Sequence, residues 1–261
     1  MIRREGANET WLLLSQVDHA HLAGEIAAVW GNDEVAALPE AGQLVPAVRD
    51  HDEGWSQWER TPAIDPVSGL PRNFTEMPMP VATDIWTQSI LFCRQHSPLG
   101  AIWVSQHFTF LGENARESRE DDSDDARAID RFLSEQRAYR AACRAEIDDV
   151  PPADLETTID VGFRWVRFFD AASLWLCCAE RFDTDQALAP DGGALSLSPS
   201  PQTSNIMLEP WPLSVERLDL SVAARRIPAR SLGSDAELQA AMRMADHETL
   251  EWSLVPGSEG A

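Results

Sequence analysis

The chain of 261 residues contains no lysine, so all 21 of its basic residues are arginines. It therefore has neither an amine that could form a Schiff base nor the lysine that a phosphate-binding loop requires. It also has one tyrosine, Tyr139, and no glycine-rich fingerprint, so nothing supports a dinucleotide-binding fold. These absences exclude two classes of enzyme: those that bind pyridoxal phosphate on an internal lysine, and P-loop nucleotide hydrolases.

Long apolar runs and an excess of positive charge are also lacking. No segment approaches the roughly 18–20 apolar residues that span a bilayer. The N-terminal MIRREGANETWLLLSQ lacks the apolar region and cleavage site of a signal peptide. A formal net charge of −22 argues against nucleic acid or an anionic membrane as a partner. We expect a cytoplasmic protein that binds neither nucleic acid nor membranes. The sequence does not indicate its oligomeric state.

Cysteines are few, and no two of them have the C-x-x-C spacing of a redox or zinc motif. Adjacent cysteines bridge each other with difficulty, and the run LWLCCAE is typical of a buried helix. The four residues are therefore expected to be reduced core thiols. They are Cys93, Cys143, Cys177 and Cys178.

Apolar periodicity predicts a mainly helical protein of one domain. A helical body covers about 15–182, a linker rich in Pro, Gly and Ser covers about 183–204, and a β-rich segment covers about 205–256. With two short N-terminal strands, the C-terminal segment is expected to form one small antiparallel sheet, giving an α+β protein overall. The predicted helices are 16–30, 43–58, 82–96, 98–111, 125–147, 154–181 and 234–245.

Several polar residues lie on the apolar stripes of these helices, since residues three, four and seven apart share a face. His19 is in register with Leu22 and Ile26. In the predicted helix 43–58, His51 follows Val48 by three residues and Asp52 precedes Trp55 by three, so both are expected to point inward.

Two further helices repeat this pattern. His107 follows Trp103 by four residues, and Asp170 lies four residues from both Val166 and Leu174 in an otherwise apolar run. A lone inward histidine is usually a hydrogen-bonded core residue, and an inward aspartate such as Asp170 usually has an ion-pair partner, here Arg164 or Arg167. Several nitrogen and oxygen ligands on facing helices favour a metal site instead.

The order of these residues resembles the H…HD…D signature of the HD-domain superfamily of metal-dependent phosphohydrolases. The segments that carry it are HAHLAG, RDHDEGW and FFDAASLWLC. The resemblance implies an HD-domain-like helical bundle in which His19, His51, Asp52 and Asp170 chelate one divalent ion. That ion would be Fe, Mn, Zn, Ni or Mg.

Nearly the whole chain also resembles a bacterial family whose members carry a domain of unknown function. That family shares SQ-x-DHA-x-LAG, HD-x-GW-x-x-W, S-x-H-F and D-x-x-SL-x-x-C. The corresponding segments here are SQVDHAHLAG, HDEGWSQWE, SQHFTFL and DAASLWLC. This resemblance implies no activity.

Two hypotheses for function follow. In the first, the protein hydrolyses a small phosphorylated substrate with a metal-bound water. Asp52 and His107 are then the candidate catalytic residues, and Arg49, Arg167 and Trp55 the candidate substrate-binding residues. The arginines could equally pair with the many acidic residues. In the second, a helical ligand-binding or regulatory protein retains a vestigial HD-like site without catalysis.

Overall fold

A computed structural model describes residues 1–121, 123–148, 150–179, 185–200 and 205–257. Within these residues the chain forms eight α-helices and seven β-strands. The helices are α1 (Gln16–Ala28), α2 (Ala41–Arg49), α3 (Trp55–Arg60), α4 (Met79–Arg94), α5 (Pro98–Glu117), α6 (Asp124–Arg144), α7 (Leu155–Cys178) and α8 (Asp235–Met244). The strands are β1 (Ile2–Gly6), β2 (Thr10–Leu14), β3 (Asp185–Leu188), β4 (Ala194–Pro199), β5 (Asn205–Glu209), β6 (Leu218–Pro228) and β7 (Asp246–Pro256).

The strands form one mixed sheet in the order β1-β2-β6-β7-β5-β4-β3. β5 pairs with β7 in parallel, and the other neighbours are antiparallel. The expectation of a mainly helical, HD-domain-like bundle with a small antiparallel sheet is therefore wrong. The protein is α+β, with a seven-stranded sheet as a principal layer.

The error arose mainly in the segment 183–204, which we predicted to be a linker. Its described part contains β3 and β4. The Pro, Gly and Ser content suggested a linker, but Leu195 and Leu197 alternate with small polar residues in the period-two pattern of a strand. Leu195 is buried and Leu197 packs against the main core.

The predicted helix 43–58 is also wrong, because it is two helices joined by a turn. α2 ends at Arg49, the chain turns through residues 50–53, and α3 begins at Trp55. Gly54 occupies the point where this turn meets α4. A Cβ atom there would lie 2.1 Å from the carbonyl oxygen of Ile85. The glycine of HDEGW therefore permits a close approach between the turn and α4.

The main core joins the helices to one face of the sheet. In β2, Leu12 and Leu14 belong to this core, whereas the side chain between them, Leu13, belongs to a second cluster that includes Leu238 of α8. Successive side chains of a strand point to opposite faces. Near β2 and β6 the sheet is therefore covered by the helical body on one face and by α8 on the other.

Two further expectations concern the burial of the cysteines and the lack of membrane-spanning segments. Cys93, Cys143 and Cys177 are buried free thiols, but Cys178 is an exposed free thiol, so it is not a core residue as predicted. No helix in the described residues is both long and apolar enough to cross a bilayer.

Candidate metal centre

Five polar side chains from four parts of the chain converge between the helices. His19 lies on α1, His51 and Asp52 lie in the turn between α2 and α3, His107 lies on α5, and Asp170 lies on α7. His19, His51 and Asp52 place one ligand atom each within 4.8 Å of one another, and so do His51, His107 and Asp170. Three of these elements are predicted correctly as helices, while the central pair belongs to a turn.

Glycines allow these elements to approach closely around the cluster. A Cβ atom on Gly24 of α1 would lie 2.5 Å from the Cβ atom of Arg49 in α2. A Cβ atom on Gly162 of α7 would lie 2.1 Å from the indole of Trp103 in α5. Larger residues at either position would push apart the helices that bear the histidines and aspartates.

Hydrogen bonds fix the orientation of His19. Its Nδ1 lies 2.9 Å from the Ser173 hydroxyl, which donates its own proton to the backbone carbonyl of Asp170 at 3.0 Å. A hydroxyl has one proton to donate, so it accepts from His19 Nδ1–H. The Nε2 atom of His19 faces Asp52 Oδ2, 2.9 Å away.

His51 is held in the same sense. Its Nδ1 donates to the backbone carbonyl of Val48 at 2.7 Å. Its buried Nε2 has no hydrogen-bond partner among the described residues, and it lies 3.3 Å from Asp170 Oδ1 and 3.7 Å from Asp52 Oδ2. This nitrogen points between two carboxylates rather than at either one. Histidines that bind metals are typically oriented in this way by a hydrogen bond from the other ring nitrogen.

The spacing of the ligand atoms fits a divalent cation. With metal–ligand bonds of about 2.0–2.2 Å, neighbouring ligand atoms lie about 3.0 Å apart at right angles and about 3.4 Å apart in a tetrahedron. The separations between the Nε2 atoms and the carboxylate oxygens are 2.9, 3.3, 3.7 and 3.9 Å. These buried His and Asp side chains could therefore hold a metal ion.

The cluster changes the protonation of its members. Burial alone would lower the pKa of His51, but the carboxylates of Asp52 and Asp170 outweigh it and raise that pKa to about 9. Burial dominates at His107 and lowers its pKa to about 4. The pKa of Asp170 is well below its usual range despite burial, because His51, His107 and His19 surround it. Without a cation, the cluster is balanced by a proton on His51.

A cleft of about 340 Å³ opens onto the cluster. Asp52, His107 and Asp170 line its inner end, and Trp55 also lines it. The Asp170 side chain is 15% exposed, whereas those of His19 and His51 are at most 1% exposed. A small molecule in the cleft would therefore meet the cluster from the side of Asp170.

Arg49, Arg164 and Arg167 are not among the described residues that line the cleft. Arg49 pairs with Asp50 at 2.7 Å on the other side of the turn and does not line the cleft. Arg167 lies over the ring of Phe110, 3.7 Å from its centroid. Arg164 pairs with Asp160, so neither predicted arginine is the partner of Asp170. Histidines surround Asp170 instead.

Two residues of the site, Ser173 and Gln16, were not predicted from the sequence. Ser173 follows Asp170 by three residues and precedes the inner-face residue Cys177 by four, so helical spacing could have identified it. Gln16 lines the cleft, and its buried Nε2 has no hydrogen-bond partner among the described residues. It lies three residues before His19, on the same face of α1.

A second polar cluster lies on the other side of the turn and also escaped prediction. His21 Nε2 lies 3.2 Å from Glu53 Oε1, and His96 Nε2 lies 2.9 Å from Asp50 Oδ2. Asp50 is buried and already pairs with Arg49. Within the turn, His51 and Asp52 therefore belong to the first cluster, and Asp50 and Glu53 belong to the second.

One comparison with known proteins gives a match. The family described as "protein of unknown function (DUF3891)" matches residues 1–229. No match was found among curated proteins or among solved structures. The predicted resemblance to a family with a domain of unknown function is confirmed, while the likeness to the HD-domain superfamily rests on the residues alone.

Proposed function

The chain belongs to the DUF3891 family, and from its site we propose that it is a metal-dependent phosphohydrolase. His19, His51, Asp52 and Asp170 would hold one divalent cation. The family supplies no chemistry, so the proposal depends on the geometry of these side chains.

One observation supports this proposal most strongly. The two imidazoles have their Nδ1 protons engaged by the Ser173 hydroxyl and the Val48 carbonyl. Their Nε2 atoms both face carboxylate oxygens, and this arrangement needs a cation or a proton between each nitrogen and the carboxylates. An ordinary core histidine would instead pair one nitrogen with a donor or an acceptor and leave no such convergence.

A divalent cation at this position would lower the pKa of a coordinated water and polarise a phosphoryl oxygen. The protein side chains then have separate tasks. Asp170, the most exposed ligand, faces the cleft, and Asp52 is positioned against His19. His107 is neutral near pH 7 because burial lowers its pKa to about 4, so it can orient a substrate through a hydrogen bond but adds no positive charge.

The second candidate function is ligand binding without catalysis. Its support is the apolar lining of the cleft, which would retain a small molecule whether or not a cation is bound. The two functions differ in whether metal is needed and whether a bond is broken.

The first experiment is elemental analysis of the purified protein, followed by titration of the metal-free protein with Mn²⁺, Fe²⁺ and Zn²⁺. We expect one equivalent of metal per chain. Asp52→Ala should abolish binding, since it removes a ligand, whereas the exposed Asp33→Ala should not. Absence of binding in the unchanged protein would end the enzyme proposal.

The second experiment tests the reaction. The metal-loaded protein is assayed on chromogenic phosphomonoesters and phosphodiesters, with metal-free protein and Asp52→Ala as controls. Metal-dependent turnover that Asp52→Ala loses supports phosphohydrolysis. Full metal occupancy without turnover of any phosphoester favours the binding protein.

A further inference from the structure

The cleft that opens onto the candidate metal centre is mainly apolar. Side chains from the loop before α4, from α4, α5 and α7 form most of its wall. The principal ones are Phe74, Met77, Met79, Trp86, Leu111 and Leu174. A hydrocarbon or aromatic group entering the cleft would lose contact with water at little polar cost.

Positive charge is scarce in the same cleft. Arg119 is the one cationic residue among the described lining residues. Its Nε lies 3.2 Å from Asp125 Oδ2, and its Nη1 donates to the carbonyl of Ala115 at 2.6 Å. The two ligand carboxylates would offset a divalent cation, and the whole chain carries a net charge of −22. A substrate with several negative charges would therefore be poorly stabilised here.

One buried, neutral donor that lines the cleft is unpaired among the described residues. Gln16 lines the cleft, as Asp52 does, and its buried side-chain Nε2 has no hydrogen-bond partner among the described residues. An unpaired buried N–H group costs free energy that a substrate oxygen would recover. Gln16 Nε2 can donate to one phosphoryl oxygen, and the cleft supplies little positive charge for a chain of phosphates.

We propose that the substrate is a phosphodiester with a single negative charge whose apolar alkyl or aryl ester group occupies this cleft. The proposal rests on the proposed function for the reaction itself. Attack of water at phosphorus forms a P–O bond and breaks the bond to the leaving alcohol, which takes a proton. The products are a phosphomonoester and an alcohol.

The experiment uses p-nitrophenyl alkyl phosphates in which the second ester group is ethyl, butyl, hexyl or octyl. The scissile bond and the charge are constant along this series, so only buried apolar area changes. We expect kcat/KM to rise about fourfold per methylene group until the cleft is filled. The p-nitrophenyl ester of thymidine 5′-phosphate should be a poorer substrate than the hexyl compound. A flat series, or a preference for the thymidine compound, would overturn the proposal.

A matched pair of variants locates the effect. Ala115→Trp fills the cleft from α5 and should remove the dependence on chain length while metal content stays at one equivalent. Ala138→Trp, on the exposed side of α6, should keep that dependence. If both variants keep it, the alkyl group binds elsewhere and the assignment of this cleft is wrong.

Binding separates this proposal from the proposed function. Calorimetry with diethyl, dibutyl and dihexyl phosphate measures affinity without any reaction. A Kd that falls with chain length, in a protein that hydrolyses none of the esters, supports the ligand class and refutes the enzyme. Turnover with a Kd independent of chain length does the reverse.

Discussion

Metal binding at this site should expel a proton from His51. In the metal-free protein the pKa of His51 is raised to about 9, because Asp52 and Asp170 face its Nε2. At pH 7 the ring is therefore protonated. A cation needs the Nε2 lone pair, so it can bind only when that proton leaves.

The size of this pH effect follows from the difference between the pKa of His51 and the pH of the measurement. Each pH unit below about 9 should weaken the apparent affinity for metal about tenfold, so the apparent Kd at pH 7 is about a hundredfold weaker than its limiting value. Asp170 contributes no proton in this range because its pKa is already low. About one proton should be released per metal ion.

Calorimetric titration with Mn²⁺ at pH 7, in two buffers with different ionisation enthalpies, measures this release directly. The apparent binding enthalpy should change between the buffers by about the difference between their two ionisation enthalpies. A parallel titration at pH 8 should give about tenfold tighter binding. Equal enthalpies in both buffers, or an affinity independent of pH, would refute the argument that His51 exchanges its proton for the metal.

Three substitutions test other parts of the structure. Ser173→Ala leaves His19 Nδ1 without its hydrogen-bond acceptor and should weaken metal affinity about 10–100-fold, measured by competition with a chelator. An unchanged Kd would contradict the argument that Ser173 orients His19 toward the metal. Gln16→Met removes the unpaired donor and should lower kcat about a hundredfold at unchanged metal content; loss of metal would show that the amide supports the ligands instead. Gly54→Ala places a methyl group against the Ile85 carbonyl and should lower the free energy of unfolding by about 1–3 kcal/mol in denaturant titrations. Gly42→Ala, in α2 with open space around its Cβ, is the control and should not destabilise the protein.

Helical spacing was enough to bring most of the cluster together. His19, His107 and Asp170 were placed on inner faces because their apolar neighbours lie three, four or seven residues away, and all three contribute to the cluster. The same rule applied to Ser173 would have found the hydrogen-bond partner of His19. This success is physical, since an amphipathic helix buries one stripe whatever it packs against.

For His51 and Asp52, helical spacing gave the correct burial from an incorrect secondary structure. Both are buried as predicted, but they lie in a turn and not in a continuous helix. Their position depends on Gly54, which lets the turn approach α4 closely. The contact between Gly54 and Ile85 joins segments about 30 residues apart, so the periodicity of either segment cannot predict it.

The sheet was underestimated for a related reason. β3 and β4 are short strands at one end of the sheet, where β3 pairs with β4 and β4 pairs with β5. Propensity and period judge a strand by its own residues, whereas hydrogen-bonded pairing decides whether it forms. For the arginines the sequence left open either a substrate or an acidic partner, and the structure pairs Arg49 with Asp50.

The sequence by itself determined which helical faces are apolar, that the chain has no lysine, and that histidines and aspartates interrupt four apolar segments. These properties are local, because they depend on residue type and on spacing along one element. Only the tertiary structure decided that the interruptions meet within ligand distance, which ring nitrogens are left free, and that an apolar cleft opens beside them. Those features depend on how separate elements pack, and close packing is set by contacts between residues far apart in the chain.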